Sequence, residues 1–178
     1  IRVGGKEVEI KSPKHAEELG ISIIYQELNL VHGFSVAENI YLGRQPNKNG
    51  LVSWKAMIKD AENLLKKLGI NIDARQKVAE LSIAQQQIVE IAKAVSYQAG
   101  VVIMDEPTSS LTQQEISILF TLINRLKEQN VAVIYISHRM EEVFTIGDRV
   151  TVLRDGCIIG TRKVKETGRN ELISMMIG

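Results

Sequence analysis

The sequence predicts an α/β fold with a mainly parallel core sheet, an inserted helical lobe and flanking β-hairpins. Three observations carry this expectation. The apolar runs at residues 101–104 and 131–136 are rich in β-branched side chains and lack polar alternation, the pattern of parallel strands covered on both faces. Each run is followed by a segment of helical periodicity, so strands and helices alternate. Of the 178 residues, 44% are hydrophobic, enough to bury a core as one domain, or one domain with a small lobe.

In chain order, residues 1–3, Gly4-Gly5 and residues 6–10 read as a β-hairpin on a two-residue turn. Gly5-Lys6 is not a phosphate loop. The pattern G-x-x-x-x-G-K-[ST] needs an earlier glycine and a Ser or Thr where Glu7 stands. Ser12-Pro13 starts a short helix as N-cap and first helical residue, and Gly20 ends it. A strand at residues 21–25 follows, with Gln26 just past its end.

Residues 27–98 read as the helical lobe, inserted between core segments 1–26 and 99–178. Ser35 and Glu38 form a capping box. Residues 47–50 are a loop, Ser53 caps a longer helix, and Gly69 closes it. Trp54, Met57, Ile58, Ala61, Leu64, Leu65 and Leu68 fall on one face of that helix as core packing. Ser82 stands at the N-cap position of the next helix, which runs through Ile88, Ile91, Ala92 and Val95. A helix N-terminus offers free N–H groups and roughly half a positive charge, a ready anion site. On spacing alone, an ordinary capped helix describes it equally well.

The apolar strand at 101–104 runs into Asp105-Glu106-Pro107-Thr108. Pro107 cannot continue the ladder, so both carboxylates sit at the C-terminal edge, where ligands bind in open α/β sheets. The pair suits a divalent cation with general-base work: Asp105 on Mg²⁺, Glu106 on a water. A solvated acidic turn is the alternative. Thr112 and Glu115 form a second capping box, opening a helix with Ile116, Leu119, Phe120, Leu122, Ile123 and Leu126 inward. The strand at 131–136 ends in Ser137-His138-Arg139, and a helix begins near Met140. A closing hairpin turns at Asp155-Gly156, and residues 169–177 read as a short amphipathic helix.

Charge and cysteine usage exclude several classes. Lys+Arg is 22 against Asp+Glu 21, a net +1 with no long run of one sign, so nothing argues for bulk electrostatic binding to nucleic acid or an acidic membrane. Cys157 is the only cysteine, which excludes an internal disulfide and fits a reducing compartment. The longest apolar run, 131–136, is far short of the ~20 residues of a membrane helix, and no signal-peptide pattern is present. Membrane association is therefore expected only through a partner. The chain opens on Ile1 with a strand already under way, as a piece of something longer would.

If the three apolar strands are neighbours, one edge carries Gln26, Asp105, Glu106 and His138. That set suits splitting a phosphoanhydride with Mg²⁺ and water. His138 could bond a γ-phosphate oxygen, although a lone histidine is more often structural.

Gln26 after a strand, Leu81-Ser82-Ile83-Ala84-Gln85, residues 101–106, Ser109-Ser110-Leu111-Thr112 and Ser137-His138 occur in the order of Q-loop, signature, Walker B, D-loop and switch histidine. The chain resembles the nucleotide-binding domain of ATP-binding cassette (ABC) transporters, a RecA-like fold of the P-loop NTPase type. Tyr25-Gln26-Glu27-Leu28-Asn29-Leu30, Ala37-Glu38-Asn39-Ile40-Tyr41-Leu42-Gly43-Arg44 and Tyr135-Ile136-Ser137-His138-Arg139-Met140 look like the ATPase subunits of bacterial monosaccharide importers of the ribose, galactose, arabinose and xylose kind. They look most like the first of two fused cassettes.

The resemblance implies Mg²⁺ on Asp105 and Gln26, a general base in Glu106, and γ-phosphate contact from His138. It implies ATP from the opposite cassette on Ser82, Ile83, Ala84, Gln85 and Gln86, with Ser109 also at the nucleotide. It further implies a second cassette, membrane permease subunits, a periplasmic sugar-binding protein acting indirectly, and a peripheral place on the cytoplasmic face of the bacterial membrane. Three departures stand out. Ile83 and Ala84 replace the usual signature glycines. Thr112 replaces the D-loop aspartate, capping the next helix instead. No stretch matches Walker A, so this chain alone is expected to bind ATP poorly and not to hydrolyse it. The competing expectations are a soluble cassette ATPase of DNA repair or translation, which basic surfaces or long heptad arrays would mark, and a non-catalytic interaction module.

Overall fold

A computed structural model describes residues 1–48, 50–97 and 99–178. Asn49 and Gln98, which fall in the expected loop and at the end of the expected lobe, lie outside the described residues. The chain forms two compact units, Ile1–Ile136 and Ser137–Gly178.

The first unit opens on a hairpin, β1 (Arg2–Val3) and β2 (Lys6–Glu7), turned at Gly4-Gly5. Both glycines have positive φ, 56° and 80°, as a two-residue hairpin turn requires. Helix α1 (Pro13–Glu18) is capped by Ser12 Oγ, which accepts the His15 N–H at 3.1 Å. Strand β3 (Ile21–Ile24) leads through Gln26 to α2 (Val36–Ile40), whose Ser35–Glu38 capping box is formed. Within the expected loop at 47–50, Asn47 and Lys48 form a short strand, β4 (Asn47–Lys48), which pairs antiparallel with β5 (Leu51–Val52).

Helix α3 (Trp54–Leu68) ends on Gly69 at φ 68°. Gly69 is needed there twice over: the left-handed conformation favours it, and an added Cβ would fall 1.5 Å from Arg125 Nη1. That guanidinium donates to Leu68 O at 2.6 Å. Two expectations fail in this helix. Ser53 occupies the N-cap position but makes no capping bond, because its backbone is not in the extended conformation a cap adopts (ψ 84°). Trp54 is exposed; Met57, Ala61, Leu65 and Leu68 make the buried face, a narrower stripe than the seven residues named from spacing.

Helix α4 (Ile83–Ser96) packs on α2, α3 and β3. Strand β6 (Val101–Asp105), helix α5 (Gln113–Glu128) and strand β7 (Ala132–Ile136) complete the unit. The core sheet is parallel in the order β3-β6-β7, with Ile23, Ile103 and Ile134 directly in register. One face of this sheet is covered: Ser22, Ile24, Val102 and Met104 are buried. On the other face Ile23 and Ile134 are about half exposed, as is Ile136. The expectation of strands covered on both faces is therefore corrected for the described residues. A continuous apolar run records the chemistry of both faces but not whether each has a layer over it. Helix α5 presents Ile116, Leu119, Leu122, Ile123 and Leu126 to the core, while Phe120 meets Tyr135 edge to face at 6.2 Å.

The second unit holds α6 (Met140–Ile146), the hairpin β8 (Arg149–Arg154) and β9 (Cys157–Lys163), and α7 (Arg169–Ile177). Asp155-Gly156 turns the hairpin with φ 51° and 75°, the both-positive pattern of a type I′ turn. Helix α7 has the expected bounds but is not amphipathic. Its apolar residues at 172, 173, 175, 176 and 177 spread over more than half of the helix circumference, and of them only Leu172 is buried. Among the described residues no helix is long and apolar enough to cross a membrane.

Candidate active site at the strand edge

Parallel pairing brings the ends of β3 and β6 side by side, because Ile24 is opposite Met104. The residues that follow each strand therefore meet. Gln26 Nε2 stands 3.5 Å from Glu106 Oε2, at the outer limit of a hydrogen bond. Asp105 is the last residue of β6, paired with Ile136, so it lies on the strand rather than just beyond it.

Glu106 is the conformational outlier of this edge, with φ 44°. Non-glycine residues rarely adopt that region, and holding one there costs about 1–3 kcal/mol. The surroundings impose it. The Glu106 N–H donates to Ile136 O at 3.1 Å, and its carbonyl accepts the Ser109 N–H at 3.2 Å. Pro107 and Thr108 are buried immediately after it. The strained backbone turns Glu106 out of the strand direction, beside Gln26, and Ser109 follows exposed at the end of the same turn. Observed strain of this kind is a pointer to function, and no sequence signal announced it.

Ser82 caps α4 as expected. Its Oγ accepts the Gln85 N–H at 3.3 Å, and Gln85 Oε1 accepts the Ser82 N–H at 2.9 Å. The box leaves the first-turn N–H groups of Ile83 and Ala84 without an upstream carbonyl inside the helix. Ile83 is half exposed and Ala84 buried. Gln86 is buried, and its amide donates to Leu81 O at 3.0 Å, so the side chain holds the loop below the cap. These five residues form a group apart from the carboxylates. α4 meets β3 near its far end, where Ser22 Oγ donates to Ala94 O. At 1.5 Å per residue that contact is about 18 Å along the helix from Ser82.

His138 is the second residue of the second unit. Its neighbours are locked: Ser137 Oγ donates to Glu142 Oε2 at 2.7 Å and accepts the Arg139 N–H at 3.0 Å, while Arg139 Nη1 pairs with Glu142 Oε1 at 3.0 Å. Glu142 is a buried carboxylate that spacing did not single out.

Two more residues escaped the sequence reading. Glu90 is buried on α4 and accepts the Asn29 N–H at 2.9 Å; Lys93 Nζ donates to Asn29 O at 3.2 Å. Burial pushes the Glu90 carboxyl above the usual range, against the opposing pull of Lys93 and the Asn29 N–H. The available signal was a glutamate inside an otherwise apolar helical stretch. By contrast, Glu115 is held below the usual range by the Thr112 N–H and hydroxyl it accepts, which is the second expected capping box. Among the described residues no group of three or more His, Cys, Asp or Glu side chains is placed to hold a metal. The donors available at the edge are Asp105, Glu106 and the Gln26 amide, all hard oxygens suited to Mg²⁺.

The ribose import ATP-binding protein RbsA of Geobacillus kaustophilus is 51% identical over 180 residues, covering 100% of this chain and 36% of that protein. The galactose/methyl galactoside import ATP-binding protein MglA of Fusobacterium nucleatum is 51% identical over 178 residues, with the same coverage. The chain thus spans about 36% of the length of the curated relatives it matches. Among solved structures, cbiO1 of Clostridium perfringens, part of the ABC transporter complex cbiONQ, superposes with a TM-score of 0.76 at 26% identity, over 96% of this chain and 68% of that one. An ATP-binding cassette of an ABC transporter in its ADP conformation gives 0.80 at 23% identity, over 97% and 74%. The sequence profile of the ABC transporter family matches residues 1–109. With that match over more than half its length, this chain belongs to the ABC transporter family.

Proposed function

We propose that this chain is part of the ATP-binding subunit of a bacterial monosaccharide importer, from the first of two cassettes, and that the complete protein couples ATP hydrolysis to sugar uptake. The observation that carries the reading is the pairing of Gln26 with Glu106 beside Asp105, with Glu106 held at φ 44°. The identity to ribose and galactose import proteins supports the substrate class.

In this reading Asp105 and the Gln26 amide oxygen hold Mg²⁺, and the ion, when bound, offsets the charge that develops on the phosphate oxygens. Glu106 takes a proton from the attacking water, and Gln26 orients that water through its amide. His138 donates to a γ-phosphate oxygen, its loop fixed by the Ser137–Glu142–Arg139 contacts. Ser109 lies at the nucleotide edge of the same turn.

The Ser82 group, about 18 Å along α4 from the β3 contact, serves nucleotide held by a second cassette. There the N–H groups of Ile83 and Ala84 meet the phosphate, with the cap formed by Ser82 and Gln85 and braced by Gln86. The permease couples through the region from Gln26 to Arg44, and the assembly is peripheral to the cytoplasmic face of the membrane. The choice of sugar belongs to the permease and the periplasmic binding protein.

The test is to express the complete reading frame and this chain separately, and to measure ATP binding and phosphate release. The reading expects the complete protein to hydrolyse ATP, and this chain, which has no G-x-x-x-x-G-K-[ST], to bind it weakly and release no phosphate. A complete protein without ATPase activity, or micromolar ATP affinity in this chain, would overturn it.

A further inference from the structure

We infer that strands β4 and β5 and the first two turns of α3 form a contact surface for an anionic lipid bilayer, with Leu51, Val52 and Trp54 entering the headgroup layer and Lys48, Lys55 and Lys59 meeting lipid phosphates. The inference rests on the peripheral membrane placement proposed above.

Large apolar side chains cluster in water here. Leu51 is 75% exposed, Trp54 56% and Val52 41%. Lys48 is directly opposite Leu51, and Asn47 opposite Val52, so each face of the strand pair carries one exposed aliphatic side chain. The Ser53 N–H donates to Pro46 O at 2.7 Å, which closes the pair at its base, and α3 starts on Trp54 immediately beyond. Single exposed hydrophobic residues are ordinary, whereas a contiguous group marks an interaction site.

Charge selects the occupant. Residues 45–59 include three lysines and no Asp or Glu, and Lys48, Lys55 and Lys59 are all exposed. On α3 the helical period puts Trp54 and Ile58 in one row and Lys55 and Lys59 in the row beside it. The acids that follow are engaged elsewhere. Asp60 lies on the opposite flank of the helix, where burial, and after it Asp60, push the Tyr41 hydroxyl up. Glu62 follows the lysine row and is paired with Arg75.

An indole beside aliphatic side chains settles at the headgroup level of a bilayer, and lysines around it reach anionic lipid through their flexible stems. The net charge of +1 for the whole chain leaves no bulk attraction, so the contact is local to this cluster. It also adjoins the region assigned above to the permease. β4 begins three residues after Arg44, which is fixed by donating to Ile40 O and to the Ser96 carbonyl and hydroxyl.

The experiment sediments the complete protein with vesicles of phosphatidylcholine alone and of phosphatidylcholine mixed with an equal part of phosphatidylglycerol. The wild-type protein should partition to the mixed vesicles and lose that binding in high salt. Replacing Lys48, Lys55 and Lys59 together by Gln should lower partitioning ~100-fold, about fivefold for each lysine near the surface. Leu51→Ser with Trp54→Ser should lower it ~10-fold on both vesicle types. Thermal unfolding and ATP hydrolysis in solution should stay at the wild-type level in both variants; if the serine pair fails to fold, the glutamine set decides.

No binding by the wild-type protein, equal binding to both vesicle types, or unchanged partitioning of the glutamine set overturns the inference. Variants that keep vesicle binding but lose co-purification with the permease also overturn it, and make the cluster a protein contact. If the wild-type protein hydrolyses no ATP, the functional reading above fails, and the vesicle experiment still decides whether the surface binds lipid.

Discussion

The strand edge and the first turn of α4 are both polar sites mounted on an apolar framework, but they are built in opposite ways. At the edge, Glu106 stands at φ 44° with its backbone bonded to Ile136 and Ser109, and its side chain reaches Gln26 at 3.5 Å. At α4, Ser82 and Gln85 satisfy one another in a closed capping box, with extended backbone at the cap. One site stores strain in its backbone and presents side chains. The other is relaxed and offers only backbone N–H groups. The difference suits the roles proposed for them: a base must reach a reacting atom, whereas an anion cradle needs only a preset geometry.

The largest test of this contrast is Glu106→Gln. It should slow phosphate release by the complete protein by about 10²–10⁴-fold, the range for loss of a general base, without lowering thermal stability; phosphate release and thermal unfolding measured together check both halves. Next comes the support beneath the edge. Met104, fully buried under Asp105, should cost about 2–5 kcal/mol when cut to alanine, whereas half-exposed Ile134→Ala on the open face should cost well under that, read as midpoint shifts in urea. Ser82→Ala should lose about 1 kcal/mol of stability as the cap disappears.

Glu106→Gly should move stability the other way, a gain of up to about 1 kcal/mol as the backbone strain is released, offset by the entropy glycine loses. If both substitutions destabilise, the idea of a strained edge facing a relaxed cap fails.

The smallest effect is in pH. Burial raises the Glu90 carboxyl in the folded state. Its contribution is therefore fully present below the ordinary glutamate range and is lost as pH rises through the raised folded value. Glu90→Gln should lack that decline, so the difference in Tm between the two proteins should move toward the variant across this window.

Much of this was legible in sequence, for reasons that can be located. Capping boxes at Ser35 and Thr112 are local patterns of four residues, and both formed; Ser82 caps α4 as its residue type indicated, with Gln85 closing a box that the spacing reading did not name. Gln26 and Glu106 could be placed together because parallel strands that end in polar residues must present them at one edge.

What escaped depends on tertiary context. A residue before proline is expected in an extended conformation, and at Glu106 the bonds to Ile136 and Ser109 override that preference. Ser53 had the right residue type for a cap, but its backbone angle excludes the bond. Glu90 was not singled out by spacing, because its burial and its bond from the Asn29 N–H depend on a loop that packs against α4 from 61 residues away. The apolar run of β7 stated what its side chains prefer, not what covers them.

That open sheet face has a consequence for the life of the chain in a cell. Ile23 and Ile134 are in register with Ile103 between them, and Ile136 and Tyr25 extend the same exposed apolar surface. Apolar side chains in register on one open sheet face favour association in water, so this chain, when expressed by itself, is prone to aggregate and to be handled by chaperones and proteases.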